Sequence, residues 1–271
     1  MPELPEVETT RLGVLPHIRN KKVIGVTIRN RQLRWPIPRT LQQKLTGHKI
    51  TTIQRRAKYL LFITDAGTMI VHLGMSGSLR IVKAGETAGK HDHVDILFTQ
   101  KKVLRFNDPR RFGCILWTAR PPAQHKLLAA LGPEPLDKDF SVDYLYALSR
   151  QRKVTIKNFI MNSRVVVGIG NIYASEALFM AGIHPRRQAG NISRQGYAGL
   201  INAIHEVLNA ALLAGGSTLK DFTTPDGQPG YFQHHFKVYG KTKLPCDTCG
   251  TAIRQITLGQ RASFYCPACQ K

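Results

Sequence analysis

YLLFITDAGTMIVHLGMSGSLRIV, residues 59–82, holds three apolar, β-branched runs, Tyr59 to Ile63, Met69 to Leu73 and Ser78 to Val82, separated by turn residues. Working outward, the same pattern recurs at Val23 to Ile28, Ile50 to Ile53, His93 to Phe98, Val103 to Phe106 and Cys114 to Trp117. Eight short runs at this spacing predict a β-sandwich or barrel rather than alternating βαβ units. The turn chemistry agrees, with Gly74, Gly77, Asp108-Pro109 and Gly113 between runs.

The character changes near Pro121-Pro122 and again at Gly132-Pro133-Glu134-Pro135, where prolines interrupt regular structure and mark a domain junction. From there to about residue 216 the period is helical. Ser193 can cap a helix whose apolar face carries Leu200, Ile204, Val207, Leu208, Ala211 and Leu212 and which ends at Gly215-Gly216. Val154 to Met161 and Ile172 to Met180 predict two more helices, separated by Gly168-Ile169-Gly170-Asn171. Ser217 to Tyr239, with Pro225, Gly227, Pro229 and Gly230, has no clear period and is expected to be a long surface loop, a class that is often functional. Ile253 to Leu258 and Ala262 to Cys266 predict a final hairpin with Arg261 at its tip.

The chain of 271 residues carries a formal net charge of +22, unevenly placed. Between Thr9 and Thr64 there are thirteen lysines and arginines and no acidic residue. Such a field attracts polyphosphate, and with no amphipathic basic helix, lipidation motif or membrane-length apolar run, nucleic acid is the expected partner. Cys246, Cys249, Cys266 and Cys269 form a C-x2-C, sixteen-residue gap, C-x2-C array. Four thiolates in two tight turns suit one structural zinc with no coordination position left for catalysis. Two disulfides are the alternative, and they would require an oxidising compartment. The polar and acidic start of the chain carries no secretory pattern, so a soluble cytoplasmic protein is expected. Cys114 is left over, most simply as a small buried hydrophobe.

The N-terminus admits two readings. Glu3, Glu6 and Glu8 with Pro5 make an ordinary helix start, carboxylates favouring the positive end of the macrodipole. Removal of the initiator methionine would instead leave Pro2 as a secondary amine, far more often unprotonated near neutral pH than a lysine and able to attack a sugar carbon.

Several motifs then stand in order: Met1-Pro2-Glu3-Leu4-Pro5-Glu6-Val7-Glu8, Arg56-Ala57-Lys58-Tyr59-Leu60, His72-Leu73-Gly74-Met75-Ser76-Gly77, Asn107-Asp108-Pro109-Arg110-Arg111-Phe112-Gly113, Gly168-Ile169-Gly170-Asn171-Ile172-Tyr173 and Gln260-Arg261-Ala262-Ser263-Phe264-Tyr265-Cys266. With the cysteine array they resemble the formamidopyrimidine-DNA glycosylases, bacterial repair enzymes for oxidised purines, over essentially the whole chain. The resemblance implies Pro2 as the nucleophile that forms a Schiff base, Glu3 as the acid assisting ring opening, Lys58 as the lysine of lesion contact and β-elimination, and Arg261 as the finger arginine of δ-elimination. It places the family's DNA contacts on His91, Arg110, Lys153 and Asn171, its intercalating trio on Met75, Arg110 and Phe112, and its lesion-capping loop on 217–239. By themselves, Asn171 reads equally as a helix cap and Phe112 as a core residue. The polar Asn162-Ser163 turn departs from the acidic residue expected of many relatives.

The combined expectation is an α+β multidomain protein. An N-terminal β-sandwich of about eight strands with an N-terminal helix would span 1–131, a helix-two-turns-helix domain 132–236, and a four-cysteine zinc finger 237–271. It would excise 8-oxoguanine and formamidopyrimidines from duplex DNA held in a basic cleft between sandwich and helical domain, then cleave the abasic site. It would act as a monomer at the nucleoid with no cofactor beyond one structural zinc. The sister class for oxidised pyrimidines and a non-catalytic zinc-ribbon nucleic-acid binder are the alternatives; Leu4-Pro5-Glu6-Val7, Met75, the Arg110-Arg111-Phe112 segment and the long capping loop favour the purine enzyme over its sister.

Overall fold

The computed structural model describes residues 2–216 and 235–271, so most of the expected capping loop, 217–234, lies outside the described residues. Two compact units are present, one within Met1–Ala129 and Ala214–Gln233, the other within Ala130–Leu213 and His234–Lys271. No helix among the described residues is long and apolar enough to cross a membrane.

The first unit opens with α1 (Leu4–Ile18), whose start is stabilised by a reciprocal capping box: the Glu3 side chain accepts from the Glu6 N–H and the Glu6 carboxylate accepts from the Glu3 N–H at 2.8 Å. Pro5 sits in the first turn, where its missing N–H costs nothing. Then follow β1 (Lys21–Ile28), the short α2 (Leu41–Leu45), β2 (Lys49–Ile50), β3 (Thr52–Arg56), β4 (Tyr59–Thr64), β5 (Gly67–His72), β6 (Ser78–Lys83), β7 (Asp92–Phe98), β8 (Lys102–Asn107) and β9 (Cys114–Thr118). One antiparallel sheet has the order β2-β1-β7-β8-β6 and the other β3-β4-β5-β9. Their inward residues, among them Val26, Phe62, Val71, Ile96, Phe106 and Ile115, share one core with Val7, Val14 and Ile18 of α1. The expected run Ile50 to Ile53 is two strands. At Thr51 the chain leaves β1 in one sheet for β4 in the other, and the Thr51 N–H and hydroxyl both donate to the Ile63 carbonyl, at 2.9 and 3.1 Å. Such a corner is a common way for one chain to serve two packed sheets.

The second unit contains α3 (Val142–Ser149), α4 (Ile156–Ile160), α5 (Asn171–Met180), α6 (Arg194–Leu213) and the hairpin β10 (Arg254–Leu258) with β11 (Arg261–Tyr265). Ser193 caps α6, its Oγ accepting from the Gly196 N–H at 3.0 Å. α4 is shorter than the periodicity predicts because Thr155, not Val154, forms the N-cap and accepts from the Asn158 N–H. α5 is buried nearly all round, and the buried Glu176 in it accepts the N–H groups of Lys237, Val238 and Tyr239 at 2.7, 3.1 and 2.7 Å. Burial still leaves the Glu176 pKa raised, but the three donors offset part of the desolvation and anchor the chain at 237–239.

Charge is also buried in the first unit. Arg105, 2% exposed, makes a two-pronged bond to Asp95 at 2.8 and 2.9 Å and donates to the carbonyls of Glu86 and Thr87. Burial alone would raise the Asp95 pKa, but hydrogen bonds from Arg105 and Arg29 outweigh it and hold the carboxyl below its ordinary range. Arg105→Met is therefore expected to destabilise the protein by about 3–5 kcal/mol at pH 7 in urea unfolding, since the buried Asp95 carboxylate loses its two-pronged partner and keeps only Arg29. The stability contributed by Asp95 is present above its unfolded pKa of about 3.9 and disappears as pH falls through the lower folded value. The deficit of the variant should accordingly narrow in acid, and an unchanged deficit below that range would show that the lost energy is packing rather than charge.

Candidate active site and nucleic-acid interface

Pro2 is buried at the foot of α1, next to Glu3, which is 2% exposed. The helix-start and nucleophile readings are compatible in space, since the capping box fixes Glu3 while Pro2 lies outside the helix. Gly216 passes the same turn: with φ of +82°, a Cβ there would lie 3.4 Å from the Glu6 Cα, Cγ and Oε1. The chain thus enters the undescribed segment beside the base of α1.

Lys58 lies half-buried in the two-residue turn between β3 and β4, where Arg56 pairs with Tyr59. Its charge reaches His72, which pairs with Tyr59 across β4 and β5 with the rings 4.8 Å apart. Burial first, then Lys58 and Arg34, hold the His72 pKa down to about 4. The ring is neutral near pH 7, and its Nδ1 accepts the Gly74 N–H at 2.9 Å, which leaves the proton on Nε2. Sequence reasoning gives His72 no role; its position two residues before a turn glycine is the available signal. It also misses Arg34, whose guanidinium stacks 4.7 Å over Trp35 and whose main-chain N–H donates to the Gly113 carbonyl.

The expected wedge is assembled from two loops. Met75 is half-buried, Phe112 is 44% exposed, and the exposed Arg110 guanidinium lies 4.9 Å over the Phe112 ring. Phe112 is therefore not a core residue, the alternative left open by its sequence context. Asp108 joins the loops: its fully buried carboxylate accepts from the Ser76 hydroxyl at 3.1 Å and from the Gly113 N–H at 2.8 Å. The Ser76 Oγ in turn accepts the Arg110 N–H. Gly74, with φ of +69°, leaves no room for a side chain, because a Cβ would meet the Gly113 nitrogen and Phe112 carbonyl carbon at 2.4 Å. His91, half-buried, is held by its carbonyl to the Asp108 N–H at 3.0 Å, so the four residues Met75, His91, Arg110 and Phe112 trace back to one carboxylate-bearing residue.

In the second unit Asn171 is the first residue of α5 and Gly170 is the N-cap, which corrects the simple-cap reading of Asn171. Its amide nitrogen donates to the Ala262 carbonyl at 2.9 Å, while its Oδ1 is buried without a partner among the described residues. One amide hydrogen remains for an anion at the positive end of the helix dipole. The same Ala262 carbonyl accepts from the fully buried Lys157 Nζ at 3.1 Å, and Lys157 also donates to Ser263 Oγ at 2.7 Å. These bonds brace Arg261, which is exposed and opens β11 opposite Leu258; the turn itself is Gly259-Gln260, both left-handed with φ of 52° and 61°. Arg261 is thus one residue past the expected tip. Lys153 is exposed in the segment leading to α4.

The four cysteine Sγ atoms lie within 4.8 Å of one another, with Cys246 to Cys269 at 3.9 Å and Cys249 to Cys266 at 3.5 Å. Ligands about 2.3 Å from a tetrahedral metal stand roughly 3.8 Å apart, so the cluster fits zinc. A disulfide needs about 2.05 Å, which these distances exclude. Cys114 is fully buried and burial pushes its thiol up to about 12, consistent with an inert core residue.

Two outcomes are expected. Gly74→Ala should lower stability by about 1–3 kcal/mol from left-handed strain alone and weaken binding to lesion-bearing duplex, as read by melting and by fluorescence anisotropy; unchanged affinity would separate the Met75 turn from DNA binding. Stripping zinc with a chelator should release one metal per chain and abolish tight duplex binding, because metal ligation supplies the hairpin's folding energy.

Comparison with known proteins agrees with this geometry. Residues 1–115 match the formamidopyrimidine-DNA glycosylase N-terminal domain, residues 131–223 the formamidopyrimidine-DNA glycosylase H2TH domain, and residues 243–271 the zinc finger found in FPG and IleRS. The chain is 56% identical to the formamidopyrimidine-DNA glycosylase of Methylococcus capsulatus and 57% identical to that of Stutzerimonas stutzeri, covering 100% of both chains in each pair. Among solved structures it is similar to MutM (Fpg) from Thermus thermophilus, with TM-score 0.89 and 34% identity over 99% of this chain and 98% of that one. It is also similar to Lactococcus lactis Fpg in complex with abasic-site DNA, with TM-score 0.93 and 32% identity over 99% of each. A two-sheet sandwich, a helical segment ending in a hairpin with four clustered cysteines, and full-length identity of this order leave one assignment, and the chain belongs to the formamidopyrimidine-DNA glycosylase family.

Proposed function

We propose that this base-excision repair glycosylase and abasic-site lyase uses Pro2 as its nucleophile, and the observation that carries the assignment is the burial of Pro2 against the capped, Glu3-bearing start of α1. Once methionine is removed, the prolyl nitrogen lone pair attacks C1′ of the flipped nucleotide. The N–C1′ bond forms as the bond to the damaged base breaks, the base leaving with the electron pair and taking up the proton that the prolyl nitrogen sheds, and Glu3 delivers a proton to the sugar ring oxygen as the C1′–O bond breaks and the ring opens. The resulting iminium is an electron sink that acidifies C2′. Loss of that proton expels the 3′ phosphate with Lys58 serving the transfer, and a second elimination, with Arg261 on the phosphate, expels the 5′ phosphate. Water then releases the sugar fragment from Pro2.

Flipping a base costs a few kcal/mol and leaves a gap that must be filled. Met75 and Phe112 fill it as apolar wedges, and Arg110, held over the Phe112 ring, faces the base left opposite. His91, Lys153 and Asn171 hold phosphates, which position the duplex without reading its sequence. Oxidised purines, 8-oxoguanine and formamidopyrimidines, are the lesions; the relatives include Lactococcus lactis Fpg solved with Fapy-dG DNA and MutM solved with carbocyclic 8-oxo-G DNA. The place of action is the bacterial cytoplasm, at the nucleoid.

Borohydride should trap a covalent adduct with duplex carrying 8-oxoguanine opposite cytosine, and peptide mapping should locate it on the prolyl residue. Pro2→Gly should cut trapping and excision by at least about a hundredfold. Robust trapping by that variant, or by protein whose N-terminal amine is acylated, would move the nucleophile elsewhere.

A further inference from the structure

Ala57 occupies the left-handed region at φ of 55° and is 3% exposed, immediately before Lys58 in the β3–β4 turn. An L-residue with a Cβ held there costs roughly 1–2 kcal/mol relative to ordinary backbone. Such a conformation persists only where its surroundings impose it. One imposing contact is a fork from Arg55: its Nη1 donates to the Ala57 carbonyl at 3.2 Å while its Nε donates to the Glu8 carboxylate at 3.1 Å. Both side chains are mostly buried, at 16% and 19% exposure.

Glu8 lies on α1, the helix whose first turn carries Glu3. Its other oxygen accepts from Arg11 at 2.9 and 2.6 Å, and Arg11 reaches on to the Ile53 carbonyl of β3 at 3.3 Å. Two arginines therefore converge on one carboxylate, and each also grips a main-chain carbonyl of the hairpin that carries Lys58. An isolated exposed ion pair would contribute little. Here the planar guanidinium of Arg55 bridges two elements, and a lysine could not satisfy both acceptors with the same fixed fork.

We propose that Glu8 and Arg55 are positioning residues that hold the strained Ala57 turn at a set place relative to the start of α1, so that the Lys58 amine meets the sugar bonded to Pro2. The inference rests on the roles given above to Pro2 and Lys58. Neither Glu8 nor Arg55 touches the reacting atoms; they act through the turn. A shift of about 1 Å in a catalytic group can cost as much as a hundredfold in rate, so the clamp matters to chemistry more than to folding.

The test is single-turnover kinetics on 8-oxoguanine duplex and on abasic-site duplex, with borohydride trapping and strand cleavage measured separately. Lys58→Met defines which step depends on the lysine. Arg55→Met is expected to slow that same step by about tenfold or more, with the other steps and the melting temperature little changed. Adding Arg55→Met to Lys58→Met should produce no further loss, since a residue that acts only through the lysine has nothing left to position. Ala57→Gly, which removes the cost of the left-handed turn, should restore part of the rate lost in Arg55→Met. Glu8→Gln retains the Arg55 side chain but removes the charge that orients it, and serves the same comparison should Arg55→Met fail to fold.

An Arg55→Met protein with wild-type rates, losses that multiply with Lys58→Met, or no recovery with Ala57→Gly would each overturn the clamp. A Lys58→Met protein with wild-type rates would instead overturn the role of the lysine and this inference with it. Absence of a trapped adduct in the wild type would overturn Pro2 as the nucleophile, and this inference with it.

Discussion

The carboxylate of Asp108 organises the edge of the first unit that carries Met75, His91, Arg110 and Phe112. A fully buried charged oxygen must be given donors or it destabilises the fold, and here the donors are the Ser76 hydroxyl and the Gly113 N–H. The main chain of the same residue takes the Arg111 N–H and a His93 ring nitrogen, and its own N–H goes to the His91 carbonyl. Satisfying one buried group thus locks the Met75 turn, the Arg110 to Phe112 loop and His91 into one body. Gly74 completes the lock by removing the side chain that would hold the two loops apart. Residues proposed to act as wedges need a preorganised support, and these bonds tie both of their loops to one buried group.

The second unit repeats the device with other groups. Lys157 and Asn171 converge on the Ala262 carbonyl, and Glu176 collects three main-chain N–H groups. In each case a buried polar side chain is spent on backbone, so that an exposed neighbour is fixed without being touched. The side chains of Arg110, Lys153 and Arg261 stay exposed. The buried ones do the holding, in surroundings where hydrogen bonds are strong and unsatisfied groups are costly.

Local features are legible in the chain. The strand at Tyr59 to Ile63, the cap at Ser193 and the four cysteines are each specified within a few residues, by alternation, by a hydroxyl before a periodic run, or by two tight turns. Where a run serves two sheets, local pattern fails: Ile50 to Ile53 looks like one strand because its apolar content is continuous, and only its partners, β1 and β4, divide it at Thr51. Arg261 stands one residue past the expected tip because turn length depends on the left-handed Gly259-Gln260 pair, which composition alone does not distinguish from a three-residue loop.

From the chain alone came the sandwich and helical character, the zinc ligands, the basic field and the motifs that place the chain in its family, because each is written in residue type and short-range spacing. Tertiary structure decided that Phe112 is exposed, that Asn171 follows the cap rather than forming it, and that His72 is neutral with its proton on Nε2. It also decided that Asp108, Lys157, Glu176 and the Glu8 and Arg55 pair hold the loops on which the expected site residues stand. Those roles exist only where partners tens of residues apart meet away from water, and a hydrogen bond between such partners leaves no periodic trace in sequence.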